Sequence, residues 1–334
     1  MRLVHAAQEL HAALEAAQSE AQRAFGDGEV YLEKAILKPR HIEMQVLADE
    51  HGNTVYLGER ECSIQRRHQK VMEEAPSPLV NAEMRRRMGE VAVRVAQAAH
   101  YHNAGTVEFL VDPNLEKNFY FLEMNTRLQV EHPVTELVTG LDLVELQIRI
   151  AGGERLPFAQ EDIRIRGHAI ECRIYAEDAD NNFFPSPGKI EMLMTPAGPG
   201  IRLDSGVYAG WTVPIDYDPL LAKVIGYGQD RPQAIARLSR ALSECFVAGI
   251  KTNLGLFQRI LADEDFQSGK IDTGYLDRLL AAKADSEDEG DGKSIAAIAA
   301  AVFSVLDSTA NPAASKPAGA ESGWKKAART EGLM

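Results

Sequence analysis

Two short segments, 106–111 and 119–125, constrain this chain more than any other feature, because each carries a carboxylate inside an otherwise apolar, strand-like run. Thr-Val-Glu-Phe-Leu-Val and Phe-Tyr-Phe-Leu-Glu-Met-Asn are rich in β-branched and aromatic residues, and the turn-prone Asp112-Pro113-Asn114 follows the first. Paired as a hairpin with its loop centred near Leu115, the two place Glu108 roughly opposite Glu123 in antiparallel register. Alternation along a strand then puts Glu108, Glu123 and Asn125 on one face with Leu110 and Phe121, and Phe109, Leu122 and Met124 on a buried opposite face. Two carboxylates and an amide oxygen on one face repel each other unless a hard cation lies between them. Mg²⁺ suits such ligands, with phosphate oxygens and water completing its shell. A solvated acidic face is the competing reading; the apolar alternation opposite favours the cation.

Around this pair the chain punctuates itself. An opening helical stretch has Leu10, Ala13, Leu14 and Ala17 on one face. Residues 29–35 and 41–57 read as strands, with a turn over 49–53. A polar, basic segment over 60–70 reads as a loop. Asn81 caps a helix over 82–99 that aligns Met84, Met88, Val91, Val95 and Ala98. A loop containing Pro133 precedes a helix over 142–151, ended by Gly152-Gly153. Short strands separated by Pro- and Gly-rich turns fill 167–227, and helices follow at 231–245 and 252–262. Beyond about residue 281 the chain turns acidic, then rich in Ala, Ser and Pro, and reads as a flexible tail. The expected fold class is α+β, divided as 1–152, 153–281 and the tail 282–334.

Gln65-Arg66-Arg67-His68-Gln69-Lys70 supplies cationic donors, Arg127 adds another, and Glu131 offers a base. Alone such a cluster is a solvated loop; beside a metal-binding carboxylate pair it reads as the site of an anionic, oxygen-rich substrate. Glu33-Lys34 and His41 are weaker candidates for an adenine edge and a ribose. Arg173 lies in a strand where Glu171 or Glu177 offers an ordinary salt-bridge partner. His5, His11, His51, His100, His102, Cys62 and Trp211 read as surface or packing residues. The net charge of −13, from 36 Lys+Arg against 49 Asp+Glu, disfavours nonspecific attraction to nucleic acid or a membrane surface. Three scattered cysteines make no disulfide framework and suggest a cytoplasmic protein.

Several runs resemble biotin carboxylase, the ATP-grasp component of acyl-CoA carboxylases. They are Glu-Lys (33–34), Pro-Arg-His-Ile-Glu (39–43), Gln-Arg-Arg-His-Gln-Lys (65–70), Glu-Glu-Ala-Pro (73–76), Glu-Met-Asn-Thr-Arg-Leu-Gln-Val-Glu-His-Pro-Val-Thr-Glu (123–136) and Gly-His-Ala-Ile-Glu-Cys-Arg-Ile (167–174). The resemblance implies the C-terminal part of an ATP-grasp domain, an antiparallel sheet with helices, followed by the mostly antiparallel biotin carboxylase C-terminal domain. Glu33, Lys34, Ile36, His41, Gln65, His68, Leu110 and Leu122 would bind ATP. Glu108, Glu123 and Asn125 would bind Mg²⁺ or Mn²⁺. Lys70, Arg127, Gln129 and Val130 would hold bicarbonate, Glu131 would deprotonate it, and Arg173 would stabilise the biotin enolate. Bicarbonate would attack the γ-phosphate to give carboxyphosphate, whose CO₂ is transferred to biotin.

The partners implied are a biotin carboxyl carrier protein, carboxyltransferase subunits and a second copy of the chain, in an acyl-CoA carboxylase, acetyl-CoA first. The family begins with a Rossmann-like domain and a lid carrying a Gly-rich loop, and Met1-Arg2 looks like the residues just after that loop. The chain therefore resembles the back two thirds of the enzyme. The alternatives are a catalytically incomplete fragment that acts only in the assembly of subunits, and an ATP-grasp ligase with another acceptor.

Overall fold

Strand β1 (Arg40–Ala48) is buried at all nine positions, so both of its faces are covered. On one face Ile42, Met44 and Val46 pack with Val107, Phe109 and Val111 of β4 (Asn103–Val111). Over them lies α2 (Ala82–Ala98), which presents Met84, Met88, Ala92 and Ala96 to the same cluster. Helical spacing puts these four residues on one stripe, and burying each methionine contributes about 1.5–3 kcal/mol. Asn81 starts the helix as expected, its Oδ1 accepting from Met84 N at 2.9 Å. Gly89 lets α2 approach β2 (Thr54–Arg66), since a Cβ there would stand 2.6 Å from the Tyr56 ring. The other face of β1 carries His41, Glu43 and Gln45, all buried, and farther along Leu47 packs under Leu143, Leu146 and Ile150 of α4 (Leu143–Ala151).

In this computed structural model the described residues are 2–112 and 119–284, and residues 1–281 form one compact unit. The expected tail and the hairpin loop near Leu115 lie outside the described residues. With β3 (Gln69–Ala75), β5 (Phe119–Asn125), β6 (His168–Tyr175) and two later strands, the chain builds an eight-stranded sheet in which every pairing is antiparallel. Short strands β7 (Glu177–Asp178), β8 (Phe184–Pro185), β9 (Gly188–Lys189) and β10 (Met192–Met194) precede β11 (Ile201–Ser205), β12 (Thr212–Val213), β13 (Leu220–Gly228) and β14 (Phe246–Ala248). The order of the large sheet is β11-β13-β6-β3-β2-β1-β4-β5, so β3 and β6 join the two halves of the sequence edge to edge. Helices α5 (Arg231–Glu244) and α6 (Leu254–Ala262) pack with β6 and β13. Short helix α7 (Glu264–Gln267) and α8 (Tyr275–Ala284) complete that cluster. Among the described residues no helix is long and apolar enough to cross a membrane.

Three local expectations need correction, and a fourth holds. Residues 29–35 form no strand: they are irregular and mostly exposed, because among the described residues no strand pairs with them to take their backbone hydrogen bonds. The basic segment is no loop; β2 continues to Arg66, turns through Arg67 and His68 with φ of 49° and 68°, and returns as β3 from Gln69. Pro133 lies in the first turn of a helix, α3 (His132–Thr139), where a missing N–H costs nothing. The opening helix, α1 (Leu10–Phe25), is present, yet none of its residues is buried.

Asp49 closes the β1–β2 turn, accepting from the backbone of His51 (2.9 Å), Asn53 (3.0 Å) and Leu156 (2.9 Å) and from Asn53 Nδ2 (2.7 Å). Burial alone would raise its carboxyl, but the Asn53 side chain and these N–H groups hold it at about 2, below 3.8. A depressed carboxyl stabilises the fold above the unfolded value, and that stability is lost as pH falls through the folded one. Between pH 4 and 2 the wild type is therefore expected to lose about 1–2 kcal/mol that Asp49→Asn does not lose, measured by urea unfolding. Parallel pH profiles of the two proteins would refute this.

Candidate active site

The sheet places charged residues in one row across four strands. Arg60 on β2 stands opposite Glu43 on β1, Glu43 opposite Glu108 on β4, and Glu108 opposite Glu123 on β5. The expected Glu108–Glu123 register is thus present. A bulge follows it, because Phe109 pairs with Phe121 and leaves Leu122 without a partner. Phe121 consequently lies on the Phe109 side, ring centroids 6.5 Å apart, and not beside Glu108. Leu122, expected on the buried face, is 47% exposed.

Lys70 rises from β3 into this row. Its ammonium donates to Glu43 Oε2, to Glu131 Oε1 at 2.7 Å and to Glu108 Oε1 at 3.0 Å. Burial works against its charge, but the carboxylates, Glu43 foremost, win and its pKa is raised. Glu131 precedes α3, and its second oxygen, Oε2, accepts from Arg173 Nη2 on β6 at 2.9 Å. Glu108 is contacted by four groups: Lys70, His41 Nε2 (2.8 Å), Gln129 Nε2 (2.8 Å) and Asn125 Nδ2 (3.0 Å). Burial pushes the Glu108 carboxyl up, and the His41 hydrogen bond and Lys70 outweigh it, so it stays ionised well below the usual range. The Asn125 amide also lies 3.4 Å from Glu123 Oε1, so the expected metal trio converges. The Glu108 and Glu123 carboxylates are hard oxygen ligands of the kind Mg²⁺ takes, and Asn125, which here donates to both through Nδ2, would have to turn its amide oxygen toward the ion to join them.

Three residues outside the expected set hold the site together. Glu43, fully buried, would be pushed up by burial, but Arg60 and Lys70 hold it at about 2. Arg60, also fully buried, donates to Glu43, Gln45 (2.7 Å), Thr135 (2.9 Å), Thr106 (3.1 Å) and Gln129 (2.8 Å). A signal for them exists in the sequence: His41, Glu43 and Gln45 alternate with Ile42, Met44 and Val46, which is the period of a strand with one polar buried face. Lys223 on β13 is a third such residue; its Nζ donates to the Val130 carbonyl at 2.8 Å.

Of the other expected residues, some stand apart from this cluster and some border it. Arg127 is exposed, with Nη1 3.4 Å from the Leu128 carbonyl. His68 is exposed at the β2–β3 turn, while Gln65 is buried at the end of β2 and lies across from Lys70. Glu33 and Ile36 belong to the irregular segment before β1, where Lys34 reaches the Tyr120 hydroxyl at 3.0 Å. Leu110 is half-buried on β4. Arg173 pairs with neither Glu171 nor Glu177 but with Glu131 and, at 2.7 Å from Nε, Glu73.

An antiparallel sheet bearing paired carboxylates, an asparagine and a buried lysine on one face suits a metal-bound polyphosphate, and comparison with known proteins assigns the chain to the ATP-grasp class. Residues 1–159 match the carbamoyl-phosphate synthase L chain ATP-binding domain, and residues 171–278 the biotin carboxylase C-terminal domain. The chain belongs to the biotin carboxylase family. It is 52% identical over 279 residues to biotin carboxylase of Nostoc sp., covering 84% of this chain and 62% of that protein. It is 54% identical over 277 residues to a pyruvate carboxylase subunit of Methanothermobacter thermautotrophicus, covering 83% and 56%. The biotin carboxylase domain dimer of Hydrogenobacter thermophilus 2-oxoglutarate carboxylase, in complex with MgADP, ADP and bicarbonate, superposes with a TM-score of 0.77. That match is at 45% identity and covers 87% of this chain and 63% of that one. The chain thus spans less than two thirds of the length of these relatives.

Proposed function

We propose that this chain carries the carboxylation chemistry of a biotin carboxylase: ATP- and Mg²⁺-dependent transfer of bicarbonate carbon to biotin on a carrier protein. The observation that carries the reading is Glu131, a buried carboxylate held between Lys70 and Arg173 beside the Glu108–Glu123–Asn125 trio. A base among cations suits an anionic substrate, because it can take a proton from bicarbonate while the positive charges hold the dianion that results. Lys70 and Gln129 would hold bicarbonate, joined by Arg127 and the Val130 backbone, which Lys223 fixes. Arg173 would stabilise the biotin enolate. Glu33, Lys34, Ile36, His41, Gln65, His68, Leu110 and Leu122 would contact ATP. The bound metal would neutralise phosphate charge, and Glu108, Glu123 and Asn125 would hold it.

In this reading residues 1–152 are the ATP-grasp part and 153–281 the C-terminal domain; the tail expected over 282–334 lies almost wholly outside the described residues. The carrier protein, a carboxyltransferase and a second copy of the chain are the proposed partners, and the dimer of the Hydrogenobacter domain supports the last. Acetyl-CoA is the final acceptor we assign; the pyruvate carboxylase relative makes pyruvate the competing result when the chain is paired with each carboxyltransferase. The buried free thiols Cys62 and Cys172 support a reducing, cytoplasmic setting.

Fixation of ¹⁴C-bicarbonate on free biotin tests the proposal. ATP-dependent fixation supports it. Nucleotide binding without fixation favours an incomplete fragment with an assembly role, and phosphate release with another acceptor favours a different ligase. The metal assignment has its own readout: Glu123→Gln is expected to weaken Mn²⁺ binding in the presence of ADP about tenfold or more, followed by electron paramagnetic resonance. Unchanged Mn²⁺ affinity would remove Glu123 from the metal set.

A further inference from the structure

Behind Arg173, Glu73 on β3 and Glu171 on β6 stand directly opposite each other. They are 1% and 0% exposed, and among the described residues none of their four oxygens has a hydrogen-bond partner. Directly opposed residues on paired strands have Cβ atoms about 4.5–5.5 Å apart, so two ionised carboxylates here would face each other without water. The nearby cations are largely committed. Arg60 and Lys70 serve Glu43, Glu108 and Glu131, and Lys223 pairs with Asp204 at 3.3 Å. Among the described residues Arg173 is the one cation within ion-pair distance of the pair, with Nε 2.7 Å from Glu73 Oε1 but not aligned as a hydrogen bond, while its Nη2 is on Glu131.

Burial pushes the Glu73 carboxyl up to about 7 against the pull of Arg173, and burial beside Glu73 pushes Glu171 well above the usual range. The other groups whose charge reaches the pair are Lys70, Lys223, Glu43, Glu131, Tyr175 and the thiols of Cys62 and Cys172. None of them is a hydrogen-bond donor to the four oxygens.

We propose that Glu73 and Glu171 share one proton and act together as positioning residues for Arg173. With one proton the pair sets a single negative charge behind the guanidinium, matched by the single charge of Glu131 in front. When that proton leaves to solvent base, two charges stand behind Arg173 and draw it off Glu131. The inference deepens the carboxylase reading, since Arg173 is the residue assigned there to the biotin enolate.

The test uses the full chain without ATP, bicarbonate or biotin. At neutral pH its infrared spectrum is expected to contain the C=O band of a protonated carboxyl, which disappears as pH is raised. The Nε–H resonance of Arg173 in ¹⁵N-arginine-labelled protein, identified by its loss in Arg173→Lys, should shift in the same step. Glu171→Gln should remove both the band and the pH-dependent shift; Glu73→Gln serves as the second variant should the first not fold. A neutral-pH spectrum lacking the band overturns the proposal, as does an Arg173 resonance that stays put while the band disappears. Because no substrate is present, absence of carboxylation leaves this result intact; conversely, both signals appearing in a chain that fixes no bicarbonate would count against the catalytic reading alone.

Discussion

Glu131→Gln is expected to lower biotin carboxylation by about 10²–10⁴-fold, the range a positioned general base contributes. Glutamine matches the shape of the side chain, so the site should stay packed, but an amide cannot take the bicarbonate proton. Its NH₂ group would also face either Lys70 or Arg173, each of which donates to a Glu131 oxygen in the wild type. The fall should therefore appear in kcat more than in the bicarbonate KM, with ADP affinity unchanged. Glu131 is 2% exposed and borders α3, so thermal melting must accompany the assay. A folded variant that retains a tenth or more of wild-type carboxylation would remove Glu131 as the base.

The largest effect on stability is expected at Arg60. Arg60→Met should cost about 3–5 kcal/mol, the range for removing one partner of a buried ion pair. The reason lies in what is left behind. Glu43, fully buried, would keep only Lys70, while Gln45, Thr106, Gln129 and Thr135 each lose a donor. Leaving buried acceptors unsatisfied costs about 1–3 kcal/mol each where no water replaces the partner. Arg60→Lys should recover little, since an ammonium has three donors on one atom and cannot span acceptors that the guanidinium fork reaches from two sides. Urea unfolding measures both variants. A loss below about 1 kcal/mol for Arg60→Met would show that the network relaxes or hydrates. Because Arg60 also holds Gln129, which in turn donates to Glu108, a folded Arg60→Lys should lose bicarbonate affinity as well.

Legibility in the sequence followed the range of the forces involved. The hairpin register of Glu108 and Glu123 could be read because alternation and pairing are local rules. The bulge at Leu122 could not, since it depends on how Phe109 packs with Phe119 and Phe121, at 5.3 and 6.5 Å. Residues 29–35 have strand composition, but composition does not supply a partner strand. The basic run over 60–70 reads as solvated because its charges outnumber its apolar residues; its compensation comes from carboxylates 17 to 61 positions away in sequence. Pro133 reads as part of a loop because proline breaks a helix interior, although proline is tolerated in the first turn of a helix, where its N–H would have no partner.

The sequence by itself determined the chemistry present: which carboxylates, cations and amides exist, the strand period that puts Glu108, Glu123 and Asn125 together, and motifs specific enough to indicate the family. Only the tertiary structure decided how those charges are shared. It set Lys70 among Glu43, Glu108 and Glu131, tied Arg60 to residues from β1, β4 and α3, and brought Glu73 against Glu171 across the β3–β6 junction. The physical reason is that local periodicity assigns a side chain to a face, whereas its charge state and partners follow from burial and from neighbours that only strand order brings within a few ångströms.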